Sequence, residues 1–189
     1  MKKLIIVVSL FLSLQGCFFV AGAAAGAAAV AVVYDHRKLE KILKDQEITK
    51  QISDKIGSVP HLQENNHIEV TCFNRVVLLT GETTTAAERQ QAEDIAKGVP
   101  DVVKVYNEIT IKGPTSSLTR ASDSWITAKI KTQMLATKDL QSGTIKVVTE
   151  NGSVYLMGIV SREQADMAVE IARQVAGVQR VVKIFQYTN

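Results

Sequence analysis

The feature that most restricts how this chain can fold is that it repeats itself. After Asp45 one unit of about 65 residues occurs twice, at a shift of about 76 to 78 positions. Each copy opens with a helical pattern, Glu47 to Gly57 and then Trp125 to Leu135. Ile48, Ile52 and Ile56 in the first, and Ile126, Ile130 and Met134 in the second, recur at the spacing of one helix face. Two strand patterns follow: Ile68 to Phe73 with Val76 to Gly81, matched by Ile145 to Glu150 with Val154 to Gly158. Each pair reads as a hairpin of half-buried strands. Asn151-Gly152 is a strong turn dipeptide, whereas Asn74-Arg75 is weaker because arginine disfavours positive φ.

The remainder of each unit is also doubled. Gly81 and Gly158 are expected to end the second strands and to allow a tight exit into a helix. Capping boxes, Thr85 to Glu88 and Ser161 to Gln164, open those helices. The core stripe Ala92, Ile95, Ala96, Val99 matches Ala168, Ile171, Ala172, Val175, and a last strand follows at Val102 to Ile111 and Val178 to Tyr187. The reading is an α+β fold: two αββαβ units, each a small mixed sheet with two helices on one face. Residues 46–112 form the first, 113–122 a linker and 123–189 the second.

What precedes the repeat has another character. Lys2 and Lys3, the apolar run Leu4 to Leu14 and a cysteine make a secretory signal over residues 1–16. Leu14-Gln15-Gly16-Cys17 is similar to a bacterial lipobox, in which the Cys17 thiol is acylated with diacylglycerol and becomes the mature N-terminus. Phe18 stands where aspartate would favour inner-membrane retention, so the expected location is the outer membrane, facing the periplasm. A spanning helix is the alternative, since Leu4 to Tyr34 carries no charge. Seven Ala and two Gly between Ala21 and Ala29 make that segment a poor membrane driver and a better tether, residues 17–45. Leu39, Ile42 and Leu43 add helical spacing near its end. With Cys17 acylated, Cys72 is left without a disulfide partner, and a small half-buried strand residue is its expected role.

The two leading helices differ in one informative way. In Asp123 to Leu135 a second stripe, Trp125, Ala128, Thr132 and Leu135, lies opposite the core stripe. The first copy has Glu47, Lys50, Asp54 and Gly57 at those positions. The shared stripe therefore reads as fold and the unshared one as function. Lys129 and Lys131 flank it, as in a helix that dips apolar groups into a bilayer while lysine stems reach phosphate. The charge partition agrees: 7 Lys and Arg against 10 Asp and Glu from Gln46 to Lys112, net −3, but 9 against 6 from Gly113 to Asn189, net +3. An anionic phospholipid surface is the expected partner, with Trp125, Ala128, Lys129, Lys131, Thr132 and Leu135 as its site. Two alternatives stand: the stripe packs on the first unit or the tether, or it docks a protein of the envelope, as an adaptor or chaperone would.

Other chemistries find no support. Three net charges make no basic stripe for nucleic acid. His36, His61 and His67 have no ligand-spaced partners, and no phosphate loop follows a strand, so neither metal, cofactor nor catalytic residue is expected.

The strand glycines, the ladder Val99, Val102, Val105 with Val175, Val178, Val181, and the segments Tyr106 to Ile109, Asp123 to Thr127 and Thr149 to Gly152 together resemble the BON domain family, in its two-domain lipoprotein form. Arg75 and Asp101 depart from it at turn positions where glycine is common. The resemblance implies an outer-membrane lipoprotein that binds anionic phospholipid through the first helix of its second domain, gathers at division sites and supports envelope integrity.

Overall fold

The computed structural model describes residues 39–188. Cys17, the signal segment and most of the tether lie outside them. In chain order the elements are α1 Leu39–Gly57, α2 Pro60–Gln63, β1 His67–Phe73, β2 Val76–Thr83, α3 Ala86–Lys97, β3 Lys104–Asn107 and β4 Thr110–Ile111. Then come α4 Ser117–Ala136, a 3-10 turn Ser142–Thr144, β5 Ile145–Glu150, β6 Ser153–Val160, α5 Arg162–Arg173 and β7 Arg180–Tyr187. In each half the hairpin is antiparallel and the last strand returns parallel to the second, giving the orders β1-β2-β3 and β5-β6-β7. In the first half the last strand is interrupted. Ile109 turns inward and is buried, and β4 resumes beside β2.

The shared stripe is the core of each unit. Ile48, Ile52, Ile126, Ile130 and Met134 are all buried, under Ala92, Ala96 and Val99 in the first half and Ala168, Ala172 and Val175 in the second. One aspartate on each leading helix then fixes that helix to its hairpin. Asp45 accepts the turn amides of Asn74 (2.7 Å) and Arg75 (2.8 Å), and Asp123 accepts those of Asn151 (2.8 Å) and Gly152 (2.9 Å). Both carboxylates are buried, so each turn amide gains a charge-assisted bond away from competing water. Arg75 does adopt φ 65°, like Gly152 at 71°. Its amide is held by Asp45, and its Nε donates to the Asp101 carbonyl at 2.8 Å. Asp101, φ 69°, fills the positive-φ site that Gly177 occupies in the second copy.

Four local expectations are corrected. Gly81 and Gly158 do not end their strands, which run on to Thr83 and Val160. They admit the neighbouring backbone instead: a Cβ would stand 2.0 Å from the His67 carbonyl oxygen at Gly81 and 2.8 Å from that of Thr144 at Gly158. The capping box is complete at Thr85 and Glu88, but Gln164 turns its side chain to Asp139 and Gln141 rather than back to Ser161. Both leading helices begin earlier than the repeat suggests, so residues 39–45 and 117–122 are helical. Finally, β2 is buried along all eight residues rather than on one face. Its second face, with Phe73 and Val76, meets Tyr155, Met157 and Ile184 of the other sheet, so the two units pack sheet against sheet.

Ile130 sits at zero exposure beneath β5 and β6. Ile130→Ala should cost about 2 to 5 kcal/mol through lost burial plus an unfilled cavity. Chemical denaturation measures it, and a loss under about 1 kcal/mol would place this face outside the core.

Candidate functional site

The candidate site is one face of α4, and its geometry follows from what the opposite face is doing. The helix starts at the N-cap Ser116, whose hydroxyl accepts the Thr119 amide at 3.2 Å. Twenty residues make it about 30 Å long. Ile126, Ile130 and Met134 on its inner side, with Asp123 bonded to the β5–β6 turn, prevent it from rolling. The outer side is therefore held towards solvent by the core rather than left there by chance.

Every residue singled out by the repeat comparison is exposed: Trp125, Ala128, Lys129, Lys131, Thr132 and Leu135. Trp125 is 55% and Leu135 57% exposed, so neither side chain is buried against the first unit. Thr132 donates its hydroxyl to the Ala128 carbonyl at 2.9 Å, so its polar atom is spent on the helix and its methyl is free to face outward. Among the described residues neither Lys129 nor Lys131 pairs with a carboxylate. The equivalent face of α1 is self-neutralised, with Lys50 on Asp54 at 2.5 Å and Lys44 on Glu47 at 3.2 Å.

Sequence reasoning missed one member. Leu118, 79% exposed, lies on the added first turns of α4 and, seven residues before Trp125, falls within about 20° of it on the wheel. Ala121 fills the turn between them. The Ser116-Ser117 start was the available signal, since a serine N-cap before Leu118 marks a helix beginning there. The full stripe is thus Leu118, Ala121, Trp125, Ala128, Thr132 and Leu135, five turns of apolar surface.

Among the described residues no group of three His, Cys, Asp or Glu could hold a metal ion, and no helix is long and apolar enough to cross a membrane. Cys72 is buried, and burial together with the Asp45 carboxylate pushes its thiol up to about 12, so it stays protonated. His61 bonds Gln91 at 2.6 Å on the surface, and His67 opens β1.

Two αββαβ units, each with a strand glycine accepting a close backbone, define a tandem-domain α+β protein. The BON domain family matches residues 44–113 and 122–189, and the chain belongs to that family. It is similar, at 32% identity over the whole chain and 97% of the relative, to the outer membrane lipoprotein DolP of Haemophilus influenzae. A 21 kDa hemolysin of Actinobacillus pleuropneumoniae is 35% identical over 82% of this chain and 80% of its own. The osmotically inducible protein Y of Escherichia coli is 30% identical over 76% and 73%.

Because the stripe contributes nothing to the core, Trp125→Glu should leave the thermal midpoint within a degree or two of wild type. Trp125 is the sole tryptophan, so its fluorescence in buffer should be that of a hydrated indole. Blue-shifted emission with a large stability loss in the variant would mean that the stripe is covered.

Proposed function

We propose that this protein is a lipid-anchored envelope protein whose second BON domain binds the anionic phospholipid surface through α4. The observation that carries the reading is an apolar stripe five turns long, opposite a packed core face and flanked by two lysines that, among the described residues, have no carboxylate partner. Such a helix lies in the bilayer interface, with its rings and methyls among the acyl chains and its ammonium groups among the phosphates. The net charge of +3 in the second half, against −3 in the first, favours approach by that domain. Similarity to an outer membrane lipoprotein supports a place at the outer membrane, anchored through Cys17 and facing the periplasm. Recruitment to division sites and support of envelope integrity belong to the same reading.

Magnitudes explain why an anchor and a helix are both needed. Burying half of a tryptophan of about 200 Å² contributes about 2 to 3 kcal/mol. Each lysine at an anionic surface adds about 1 kcal/mol. That sum gives weak binding for a free domain. Acyl chains on Cys17 would supply residence, since two or more hold a protein at a membrane far longer than one. Binding by α4 then takes place at high effective concentration, and weak affinity becomes high occupancy. The anchor selects the membrane; the helix selects the lipid patch.

Flotation of residues 39–189 with vesicles tests the helix. The fragment should float with phosphatidylglycerol-containing vesicles but not with pure phosphatidylcholine. Trp125→Glu should abolish flotation, whereas Lys129→Gln and Lys131→Gln should weaken it, and more so at low salt, where the charge term is least screened. Indifference to lipid composition would sink the reading and favour a docked protein partner. For the anchor, the intact mass of the protein from membranes should equal a chain beginning at Cys17 plus its acyl groups. A mass that retains residues 1–16 without lipid would refute it.

A further inference from the structure

The apolar contact between the two sheets has a polar edge built around two buried carboxyl groups from different domains. Glu82, on β2, is completely buried. It accepts the Thr115 amide at 3.3 Å, the Thr115 hydroxyl and the Asn151 side-chain amide, and Lys112 Nζ stands 3.7 Å away. One first-domain carboxyl thus holds both the interdomain linker and the second domain's hairpin turn. Glu150, at the end of β5 and 7% exposed, accepts the same Asn151 amide nitrogen at 3.2 Å. The two N–H bonds of that amide therefore bridge the two carboxyls.

The surroundings are short of positive charge. Glu150 is faced by Glu82 from β2, Glu69 from β1 and Asp123 from α4. Lys112 serves Glu82. Arg120 on α4 is engaged with the Thr115 carbonyl at 3.0 Å and with His67 Nδ1 at 3.5 Å, and His67 is the register partner of Glu82 on β1. A cleft of about 360 Å³, lined by Glu69, Thr71, Arg120, Asp123 and Glu150 among others, opens Glu150 to exchange with solvent. Two ionised carboxylates around one amide at this site would repel each other, and Lys112 stands beside Glu82 rather than Glu150.

We propose that Glu150 and Glu82 share one proton across the domain contact, and that this proton is a latch: while it is present the two BON domains stay closed, and its loss loosens them. Burial, then the charges of Glu82, Glu69 and Asp123, push Glu150 up to about 7. Burial also pushes Glu82 up, but the hydrogen bonds of Thr115 and Asn151 with the charge of Lys112 outweigh it, leaving Glu82 below the ordinary 4.5. In the closed state Glu150 carries the proton and Glu82 the charge, with the Asn151 amide between them.

The sign follows from linkage. Glu150 binds its proton more tightly closed than open, so its contribution to closure is complete below the ordinary carboxylate range and is lost as pH rises through about 7. Glu82 has the opposite sign: its contribution is present above the ordinary range and is lost as pH falls through its lowered value. Closure is firmest in mildly acidic medium. Arg180 to Glu108 at 3.1 Å and Asn74 to Gln186 at 2.8 Å also span the contact, so the latch loosens packing rather than separating the domains.

The test uses the full chain with ¹³C-labelled glutamate carboxyls and methionine methyls. The Glu150 carboxyl should titrate with a midpoint near 7, and the methyl of Met157, buried between the sheets, should shift with the same midpoint. Glu150→Gln, whose neutral amide keeps the shape of the protonated acid and cannot titrate, should hold the Met157 signal at its low-pH position throughout. A Glu150 midpoint in the ordinary carboxylate range would overturn the proposal. So would a Met157 signal that ignores pH, or one that still titrates in Glu150→Gln and so reports His67. Should Glu150→Gln fail to fold, the two titrations in the wild-type chain decide the matter.

Discussion

Sheet-to-sheet burial is the constraint on which the rest of this molecule depends. A three-stranded sheet with helices on one face leaves its second face open to water, and in units this small that is a large fraction of the apolar surface. Here the second faces cover each other: Phe73, Val76 and Leu78 against Tyr155, Met157 and Ile184. β2 and β6 are consequently central in every direction, paired on both edges and packed on both faces. Everything outward of them is a helix layer that is free to specialise on its exposed side.

That specialisation requires rigidity, and the leading helices obtain it from a device used twice. Asp45 and Asp123 each tie a helix to a hairpin turn by two bonds to backbone amides, so neither helix can rotate its stripe inward. Where the sequences differ, the physics does too. α1 covers its exposed face with its own ion pairs, whereas α4 leaves apolar groups exposed and, among the described residues, its lysines without carboxylate partners. For the membrane binding proposed above, a rigid presentation matters, because a stripe that could tuck into the core would lose in folding what it gained in binding.

Much of this was legible in the sequence, for identifiable reasons. The two isoleucine stripes, the second-helix alanines and the exposed Trp125 face came from comparing one copy with the other, which separates residues kept for the fold from residues free to vary. What escaped had weaker signatures. Leu118 escapes a reading in which the helix starts at Asp123, although Ser116 is the cap. Asp45 reads as the end of the tether, although the shift of 78 that relates it to Asp123 pairs them. The doubly buried β2 was read as half-buried, yet Val76-Val77-Leu78-Leu79 is a continuous apolar run of the kind that means two covered faces. The carboxyl pair could not be found by pattern at all. Glu82 and Glu150 are 68 positions apart in different units and meet only because the sheets do.

The contact between the sheets has one further property. Leu78 and Tyr155 occupy the same position in their respective copies, as do Tyr106 and Val182, and all four lie in the shared cluster. Corresponding surfaces of a duplicated unit thus face each other, which is the arrangement of a symmetric homodimer written into one polypeptide. A single unit cut from this chain would retain the face and lose its cover. It should therefore recruit a second copy of itself, so dissecting the protein into single domains changes its state of association as well as its length.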